Sequence, residues 1–348
     1  MSEQVRDFGT TAGQAVQEIT LHNAAGAIAK IITWGAVVRD LLVPKLDSGL
    51  QRVVVGLNTL DEYTKYSNHF GAIAGRFANR IKGGKFTLDG IAYQLLCNQD
   101  GRHSLHGGGM GFGKRPWRLL HVEPSSVVLG LVSPDGDHGY PGTLTVSCRY
   151  TLTEGNALRV ELWGHTDQAT IINLCHHSYF NLDGSADILD HDLMIRANLM
   201  TPVDADLIPD GSMAPVSGTP FDFRTPRPVR LLGDDGHRQW YDHNFVLRRE
   251  RREMDASGLE VAHAATLSSA KSGISMEVWT TEPCIQLYDG FKVNVPVTGH
   301  DGASYKANAG LCLEPQCSPE SPNLSHMPST VLRPGELYRQ VTEYRFGH

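Results

Sequence analysis

Short runs of alternating apolar and polar residues, separated by turn residues, restrict the fold of this chain more than any other feature of its sequence. From 144 to 152 every second residue is apolar, a Glu-Gly-Asn turn follows at 154–156, and the alternation resumes over 158–162. A period of two places one face of a strand against a core and the other toward water. The pattern therefore predicts a β-hairpin with one buried face.

Similar strand signals recur along the sequence, while helix signals are few. Residues 85–95 form a second predicted hairpin, around an Asp-Gly dipeptide at 89–90 that favours a two-residue primed turn. A further strand is predicted over 337–346. A capping-box pattern at 59–62 predicts the start of a short helix.

Length and composition complete the fold prediction. The 348 residues include 41% apolar side chains, which is enough for a large core and excludes a disordered chain. The 36 glycines and 18 prolines are spread along the whole sequence, as expected for many turns between strands. The predicted fold class is all-β, as one large single-domain β-sandwich over residues 1–348.

Charge and hydropathy exclude several kinds of partner. The net charge is −7, without the basic stripe of a nucleic-acid-binding protein. No apolar stretch approaches the roughly 18 residues that cross a bilayer, and residues 1–10 lack the apolar segment of a secretory signal. The six cysteines contain no CxxC pair, so we expect reduced, mostly buried thiols. The expected location is the cytoplasm, with no nucleic-acid or membrane partner.

Two motifs that resemble cofactor sites are rejected. The glycine run 107–113 with Lys114 approaches a phosphate loop, but Arg115 and Pro116 stand where a magnesium-binding hydroxyl and a helix start are needed. His103-x-x-His106 and the doublet His176-His177 offer imidazoles to a metal, but neighbouring residues of a strand face opposite sides. We therefore predict no metal and no cofactor.

Glu314 is the most informative candidate catalytic residue. It stands between an apolar run at 311–313 and Pro315, so its carboxyl is expected on a β surface with limited water. Such a site raises the pKa of a carboxyl group toward the working pH and makes it a useful general base. The alternative is an ion pair with an arginine such as Arg76 or Arg80.

Four other side chains are candidates for the site, and three of them also have a structural interpretation. His177 lies in an aromatic, asparagine-rich segment and is either an acid held by hydrogen bonds or a satisfied core residue. Asp242 suits an imidazole or a sugar hydroxyl, or caps a turn. Asn79 and Arg80 present an amide and a planar fork that suit vicinal hydroxyls, although Arg80 also suits a structural role.

Taken together, these segments resemble one family, the aldose 1-epimerases or galactose mutarotases. The family-like strings occur in the family's order: GRFANRI, SLHGG, GFGKRPW, NLCHHSYFNLDG, YDHNFVL, CIQLYDG and LCLEPQCSPESPN. The resemblance implies a large β-sandwich with an open sugar cleft and neither cofactor nor metal. It also implies an isomerase that interconverts the α and β anomers of free hexoses such as galactose and glucose.

The resemblance implies a role for each matching position. The family's catalytic acid falls on His177 and its base on Glu314. Its sugar-contacting positions fall on Asn79, Arg80, His106, Asp242 and Gln286. In the implied mechanism Glu314 takes the proton of the C1 hydroxyl while His177, as imidazolium, protonates the ring oxygen.

Some positions depart from the family's pattern or lie outside it. His176 replaces an asparagine, Pro315 a common threonine and Gly113 a common aspartate, which leaves the sugar preference open. On their chemistry alone, three aromatic residues are further candidates for lining the cleft: Tyr179, Phe112 and Trp117.

Three alternative functions stay open from the sequence. A non-catalytic sugar-binding domain would not need both His177 and Glu314. A hexose-phosphate mutarotase would need several cations around a phosphate, for which Arg76, Arg80 and Lys114 are available. A metal-dependent hydrolase would lose activity with a chelator. The expected partner is a monosaccharide, and the chain is expected to be a monomer or a homodimer.

Overall fold

The structure is a computed structural model that describes residues 4–233 and 236–348. Residues 1–3 of the polar N-terminal stretch therefore lie outside the described residues. In the first part of the chain the elements are β1 (Val5–Thr11), β2 (Gln14–His22), β3 (Ile28–Ile32), β4 (Val37–Pro44), β5 (Leu50–Arg52), α1 (Leu60–Tyr66), β6 (Ala72–Ala74), β7 (Arg80–Ile81), β8 (Lys85–Leu88), β9 (Ile91–Gln94), β10 (Ser104–Leu105), β11 (Arg118–Glu123), β12 (Ser126–Ser133), β13 (Leu144–Leu152) and β14 (Ala157–Thr166).

The second part continues with strands. They are β15 (Thr170–Ile171), β16 (Cys175–His177), β17 (Asp192–Ile195), β18 (Ala197–Thr201), β19 (Ala214–Pro215), β20 (Arg227–Pro228), β21 (Asp242–Leu247), β22 (Arg252–Met254), β23 (Glu260–Ser268), β24 (Ser275–Thr280), β25 (Cys284–Tyr288), β26 (Cys312–Gln316), β27 (Val331–Leu332) and β28 (Tyr338–Gly347). Short 3₁₀ turns lie at Lys82–Gly84, Phe112–Lys114, Asp137–Gly139, His300–Gly302 and Ser321–Asn323.

The hairpins predicted from alternation are confirmed. β13 and β14 pair antiparallel from Leu144 opposite Thr166 to Leu152 opposite Leu158. β8 and β9 pair around Asp89 and Gly90, whose φ values of 51° and 78° are those of a type I′ turn. The predicted C-terminal strand is β28, which lies between β14 and β24 in the largest sheet.

Three larger sheets and four strand pairs make up the described chain. Ten strands form the largest sheet, in the order β11-β12-β13-β14-β28-β24-β23-β17-β20 with β22 beside β23. One five-stranded sheet has the order β1-β2-β3-β4-β5, and the other has the order β19-β18-β21-β25-β26. The strand pairs are β6–β16, β7–β10, β8–β9 and β15–β27.

Apolar side chains of the three larger sheets meet in one core. Ile31 of β3, Leu129 of β12 and Leu287 of β25 belong to the same buried cluster and are inaccessible to solvent. Sheets that bury their inner faces against one another form a β-sandwich. The all-β sandwich predicted from the sequence is therefore confirmed.

Helix and cysteine predictions are also confirmed. α1 begins with the predicted capping box, in which Thr59 accepts from the amide of Glu62 and Glu62 accepts from the amide of Thr59. All six cysteines are free thiols. No helix within residues 4–233 or 236–348 has the length and apolar character needed to cross a membrane.

Arg76 serves the fold and does not pair with Glu314. Its guanidinium is 1% exposed and donates to the carbonyl oxygens of Ser133, Pro141 and Gly142 at 2.8–3.0 Å. It also donates to the hydroxyl of Thr170. Each carbonyl is a backbone acceptor that needs a partner when buried. The interpretation of Arg76 as an ion partner of Glu314 or as a phosphate ligand is therefore wrong.

Replacing Arg76 with methionine is expected to lower the free energy of unfolding by about 3–5 kcal/mol, because several buried carbonyls lose their donor. Denaturant unfolding measures the change. Arg102→Met is the control, since Arg102 pairs with Asp206 at the surface and is 56% exposed. An Arg76→Met effect no larger than that of Arg102→Met would contradict this role.

Candidate active site

Two facing strands carry the predicted acid and base. His177 ends β16, and Glu314 is the third residue of β26. The His177 Nε2 atom lies 3.6 Å from Oε1 of Glu314, and the two side chains are 6% and 2% exposed. The two residues that the sequence assigns to proton transfer therefore meet although 136 residues of chain separate them.

Alternation along β16 explains why only one residue of the histidine doublet reaches this pair. His176 faces the opposite side, where its Nε2 lies 2.9 Å from the Ser178 hydroxyl and its ring meets Tyr150 and Tyr344 edge-on. Burial lowers the pKa of His176 to about 3, so its ring is neutral. The prediction that the doublet cannot ligate one ion agrees with this geometry.

The strand ladder places further polar groups beside Glu314. Gln286 is the direct partner of Glu314 between β25 and β26, and directly paired residues share a face of the sheet. Gln286 donates from Nε2 to Oδ1 of Asp242 at 2.7 Å. Gln286 thus fixes the position of the Asp242 carboxylate.

Asn79, Arg80 and His106 reach the same place from two connected loops. Their segments meet where Arg80 of β7 pairs with Leu105 of β10. The amide of Asn79 donates to Nδ1 of His106 at 3.2 Å, and Arg80 donates from Nη1 to Oδ1 of Asn79 at 3.2 Å. Burial, with the neighbouring histidines, keeps the pKa of His106 well below its usual range, so the neutral ring carries its proton on Nε2.

Glycines allow these loops to approach one another. Gly107 has a φ of 83°, and a Cβ there would lie 2.0 Å from the carbonyl oxygen of Gly75. Only glycine fits that position without moving the backbone. The glycine run is therefore a close backbone contact, and a short 3₁₀ turn follows it, in place of the helix that a phosphate loop requires.

A cavity of about 400 Å³ joins these groups, a size typical of small-molecule sites. Six of the predicted residues line it, namely Asn79, Arg80, His106, His177, Asp242 and Glu314. Gln286 does not line it and lies behind Asp242. A larger cavity, of about 830 Å³ near Arg52 and Tyr305, contains none of the predicted site residues.

Burial controls the charges of the central pair. It raises the pKa of Glu314 to about 8, with the Asp242 carboxylate adding to the effect, and it lowers the pKa of His177 to about 4. Between these values the pair binds one proton, and the empty site favours that proton on Glu314. The raised pKa expected for Glu314 is confirmed. The expectation of a protonated His177 beside an ionised Glu314 differs from this resting state, because burial penalises both charges.

Sequence reasoning missed some residues of the cavity and misplaced others. Tyr179 lines the cavity as predicted, but Phe112 and Trp117 are core residues, 1% and 3% exposed. His69 and Lys292 line it and were not predicted. No pattern around His69 or Lys292 marked them, because both lie in loops whose partners are distant in sequence.

The positions that depart from the family's pattern do not line the cavity. Pro315 faces away from Glu314 on β26, the edge strand of its sheet, where a proline is tolerated. A Cβ at Gly113 would lie 3.3 Å from Nδ1 of His69, so the small residue makes room for that ring.

One group of residues has the composition of a metal site. His177, Cys312 and Glu314 offer a nitrogen, a sulfur and an oxygen within 4.8 Å of one another. His103 instead pairs with Asp206 and accepts from the amide of Gly83. The absence of a metal requirement stays a prediction.

Comparisons with known proteins agree with this geometry. The aldose 1-epimerase family profile matches residues 17–345. The galactose mutarotase of Sus scrofa is 42% identical over 318 residues, 91% of this chain and 90% of that protein. The aldose 1-epimerase of Escherichia coli is 36% identical over 342 residues, 96% of each chain.

Solved structures give the same result. An aldose epimerase homologue from C. elegans superposes with a TM-score of 0.88 at 32% identity, covering 96% of this chain and 99% of that chain. A galactose 1-epimerase from Lactobacillus acidophilus superposes with a TM-score of 0.79 at 29% identity, covering 99% and 98%. The chain belongs to the aldose 1-epimerase family, a family of isomerases.

Proposed function

We propose that this chain is an aldose 1-epimerase that interconverts the α and β anomers of free hexoses such as galactose and glucose. Glu314 is the base and His177 the acid. The observation that carries the proposal is the 3.6 Å separation of His177 Nε2 and Glu314 Oε1 in one sugar-sized cavity.

The geometry suits ring opening because both reacting oxygens are bonded to C1 of the sugar. Glu314 takes the proton of the C1 hydroxyl, and His177 gives a proton to the ring oxygen as the bond from C1 to that oxygen breaks. The open-chain aldehyde rotates about C1–C2. The proton transfers then reverse, and the ring closes on the other face of C1.

The same pair of residues supplies the proton that the reaction needs. Because the pair binds one proton in total, moving it from Glu314 to His177 prepares the base and the acid together. A sugar that donates its C1 hydroxyl to Glu314 stabilises the ionised carboxylate and favours this arrangement.

Other residues of the cavity hold the sugar in place. His106 offers its Nε2 proton, Arg80 a planar set of donors, and Asp242 a carboxylate acceptor. Sugar hydroxyls both donate and accept, so such a mixed set orients the ring for both proton transfers. Gln286 acts through Asp242.

We also propose that the chain forms one domain, acts in the cytoplasm and binds neither nucleic acid nor membranes. A single apolar core shared by the three larger sheets supports one domain over residues 1–348. The net charge of −7 supports the absence of a nucleic-acid partner, and six free cysteines support a cytoplasmic location. We expect no membrane partner. A monomer or a homodimer is expected.

A hexose-phosphate mutarotase would need several cations around the phosphate. Of the three considered, Arg80 and Lys114 line the cavity and Arg76 does not.

Polarimetry on freshly dissolved α-galactose or α-glucose tests the activity. The purified protein is expected to bring the optical rotation to its equilibrium value faster than buffer does, in proportion to protein concentration. An unchanged rate at every concentration would contradict the proposal and leave its alternatives, among them a sugar-binding domain and a hexose-phosphate mutarotase.

The pH dependence of kcat/KM is expected to be bell-shaped, with limbs near pH 4 and pH 8. Below about pH 4 the pair gains a second proton and Glu314 cannot accept another, and above about pH 8 the pair loses the proton that His177 must give. Initial polarimetric rates, less the spontaneous rate, give the profile. Activity that climbs steadily through pH 8 would contradict this assignment.

A further inference from the structure

Two buried thiols lie against the proposed catalytic pair. Cys175 of β16 donates its S–H to Oε2 of Glu314 across the site, at 3.4 Å. Cys312 of β26 lies 3.5 Å from Nδ1 of His177. Each strand therefore carries one titrating group and one thiol, and each thiol contacts the titrating group of the opposite strand.

The arrangement follows from alternation on both strands. Cys175 and His177 are two residues apart on β16, and Cys312 and Glu314 are two residues apart on β26. Residues two apart share a face of a strand. When the two faces meet, His177 lies opposite Glu314, and each thiol contacts the titrating group of the other strand diagonally.

Burial keeps both thiols protonated. Both cysteines are inaccessible to solvent, and burial raises the pKa of each thiol well above its usual range. Cys175 is the hydrogen-bond donor that the described residues provide to the Glu314 carboxylate. In the neutral imidazole Nε2, the nitrogen that faces Glu314, has to be free to take the proton of Glu314, so the ring proton lies on Nδ1 and the Cys312 sulfur accepts from it.

We infer that Cys175 and Cys312 are positioning residues of this active site, an inference that rests on the proposed roles of Glu314 and His177. Cys175 stabilises the ionised carboxylate and holds Oε2, so that Oε1 points toward His177 and the sugar. Cys312 accepts from Nδ1 of His177 and so fixes the ring in the form whose Nε2 is free to take a proton from Glu314 and pass it to the sugar.

Other titratable groups also surround the pair, and they are the same in every variant proposed below. Around Glu314 and His177 they are Arg80, Asp242, His69, His106, Lys114, Tyr179, Tyr288 and Tyr344. A change confined to one limb of the pH profile therefore reports the thiol that was replaced.

Cys175→Ala removes the donor to Glu314 and leaves the surroundings of His177 intact. Ionising Glu314 then costs more free energy, so its pKa rises. The upper limb of the pH profile is therefore expected to move up by about half to one pH unit. The plateau of kcat/KM is expected to fall about 3- to 10-fold, because the active form needs Glu314 ionised. The lower limb stays in place. Cys175→Ser keeps a donor and is expected to restore the upper limb.

Cys312→Ala removes the acceptor of the Nδ1 proton. Because that hydrogen bond is stronger for the charged ring, the lower limb is expected to move to lower pH. The upper limb stays in place, because His177 is neutral in both forms that meet there. Long-range ¹H–¹⁵N spectra of histidine-labelled protein at neutral pH report the ring form directly. They are expected to show the proton of His177 on Nδ1 in the wild type and on both nitrogens in Cys312→Ala.

Cys148→Ala is the matched control, since Cys148 is an equally buried thiol on β13 in the main core. It is expected to move neither limb. Unshifted limbs in Cys175→Ala and Cys312→Ala, or limbs that shift equally in all three variants, would overturn the inference. So would an Nδ1 proton that stays in place in Cys312→Ala. If Glu314→Gln is inactive and the pH limbs of the thiol variants are unshifted, only the positioning role of the thiols is refuted. If Glu314→Gln is active, the proposed function is refuted.

Discussion

Replacing Glu314 with glutamine is expected to lower kcat/KM for mutarotation of α-galactose by about 10²–10⁴-fold. The amide has the shape of the carboxyl and fits the buried position, but it cannot take a proton from the C1 hydroxyl. Because the neutral form of Glu314 already dominates the resting site, a neutral amide leaves folding intact. Polarimetric progress curves measure the rate, and thermal unfolding measures the fold.

Glu250→Gln is the matched control for this variant. Glu250 is 64% exposed in the chain between β21 and β22, so the same chemical change there is expected to leave the rate unaltered. If Glu314→Gln folded normally and turned over at a rate close to that of Glu250→Gln, Glu314 would not be the base.

Replacing His177 with asparagine is expected to lower kcat by about 10²–10³-fold while KM changes only a few-fold. Asparagine keeps a hydrogen-bond donor beside the ring oxygen but has no proton to transfer. Sugar binding is preserved because the hydroxyl contacts come from Arg80, His106 and Asp242.

His165→Asn provides the comparison, since His165 is exposed on β14 in the largest sheet. It is expected to behave as wild type. A His177→Asn variant whose kcat is unchanged while KM rises would make His177 a binding residue and remove it from proton transfer.

Local sequence patterns predicted the elements of the fold well, because each depends on neighbouring residues. The alternation at 144–162 fixes which side chains face the core, and the Asp-Gly dipeptide at 89–90 fixes the turn. Neither pattern says which sheets pack together. That the core joins Ile31 to Leu287 became visible only in the structure.

The site was predictable as a set of residues but not as an arrangement. Alternation predicted that His176 and His177 face opposite sides, and the apolar run before Glu314 predicted its raised pKa. The diagonal contacts of Cys175 and Cys312 depend on β16 facing β26, which no local pattern encodes. The burial of both charges was likewise visible only from the packed structure.

Two of the misplaced residues have a common physical cause. Arg76 and Trp117 are polar or amphipathic side chains that donate to backbone carbonyls, as in the bond from Trp117 Nε1 to the carbonyl of Phe112. Backbone partners leave no mark in the sequence. Side chains that donate hydrogen bonds to loop carbonyls were therefore mistaken for side chains that bind a ligand.

A crystal structure of the Glu314→Gln variant soaked with galactose tests the central claim most directly. The predicted result places one sugar in the cavity lined by Asp242 and His106, with its C1 hydroxyl hydrogen-bonded to the side chain at position 314 and its ring oxygen hydrogen-bonded to Nε2 of His177. A sugar bound there with C1 and the ring oxygen turned away from both side chains, or a sugar bound only in another cavity, would contradict the account.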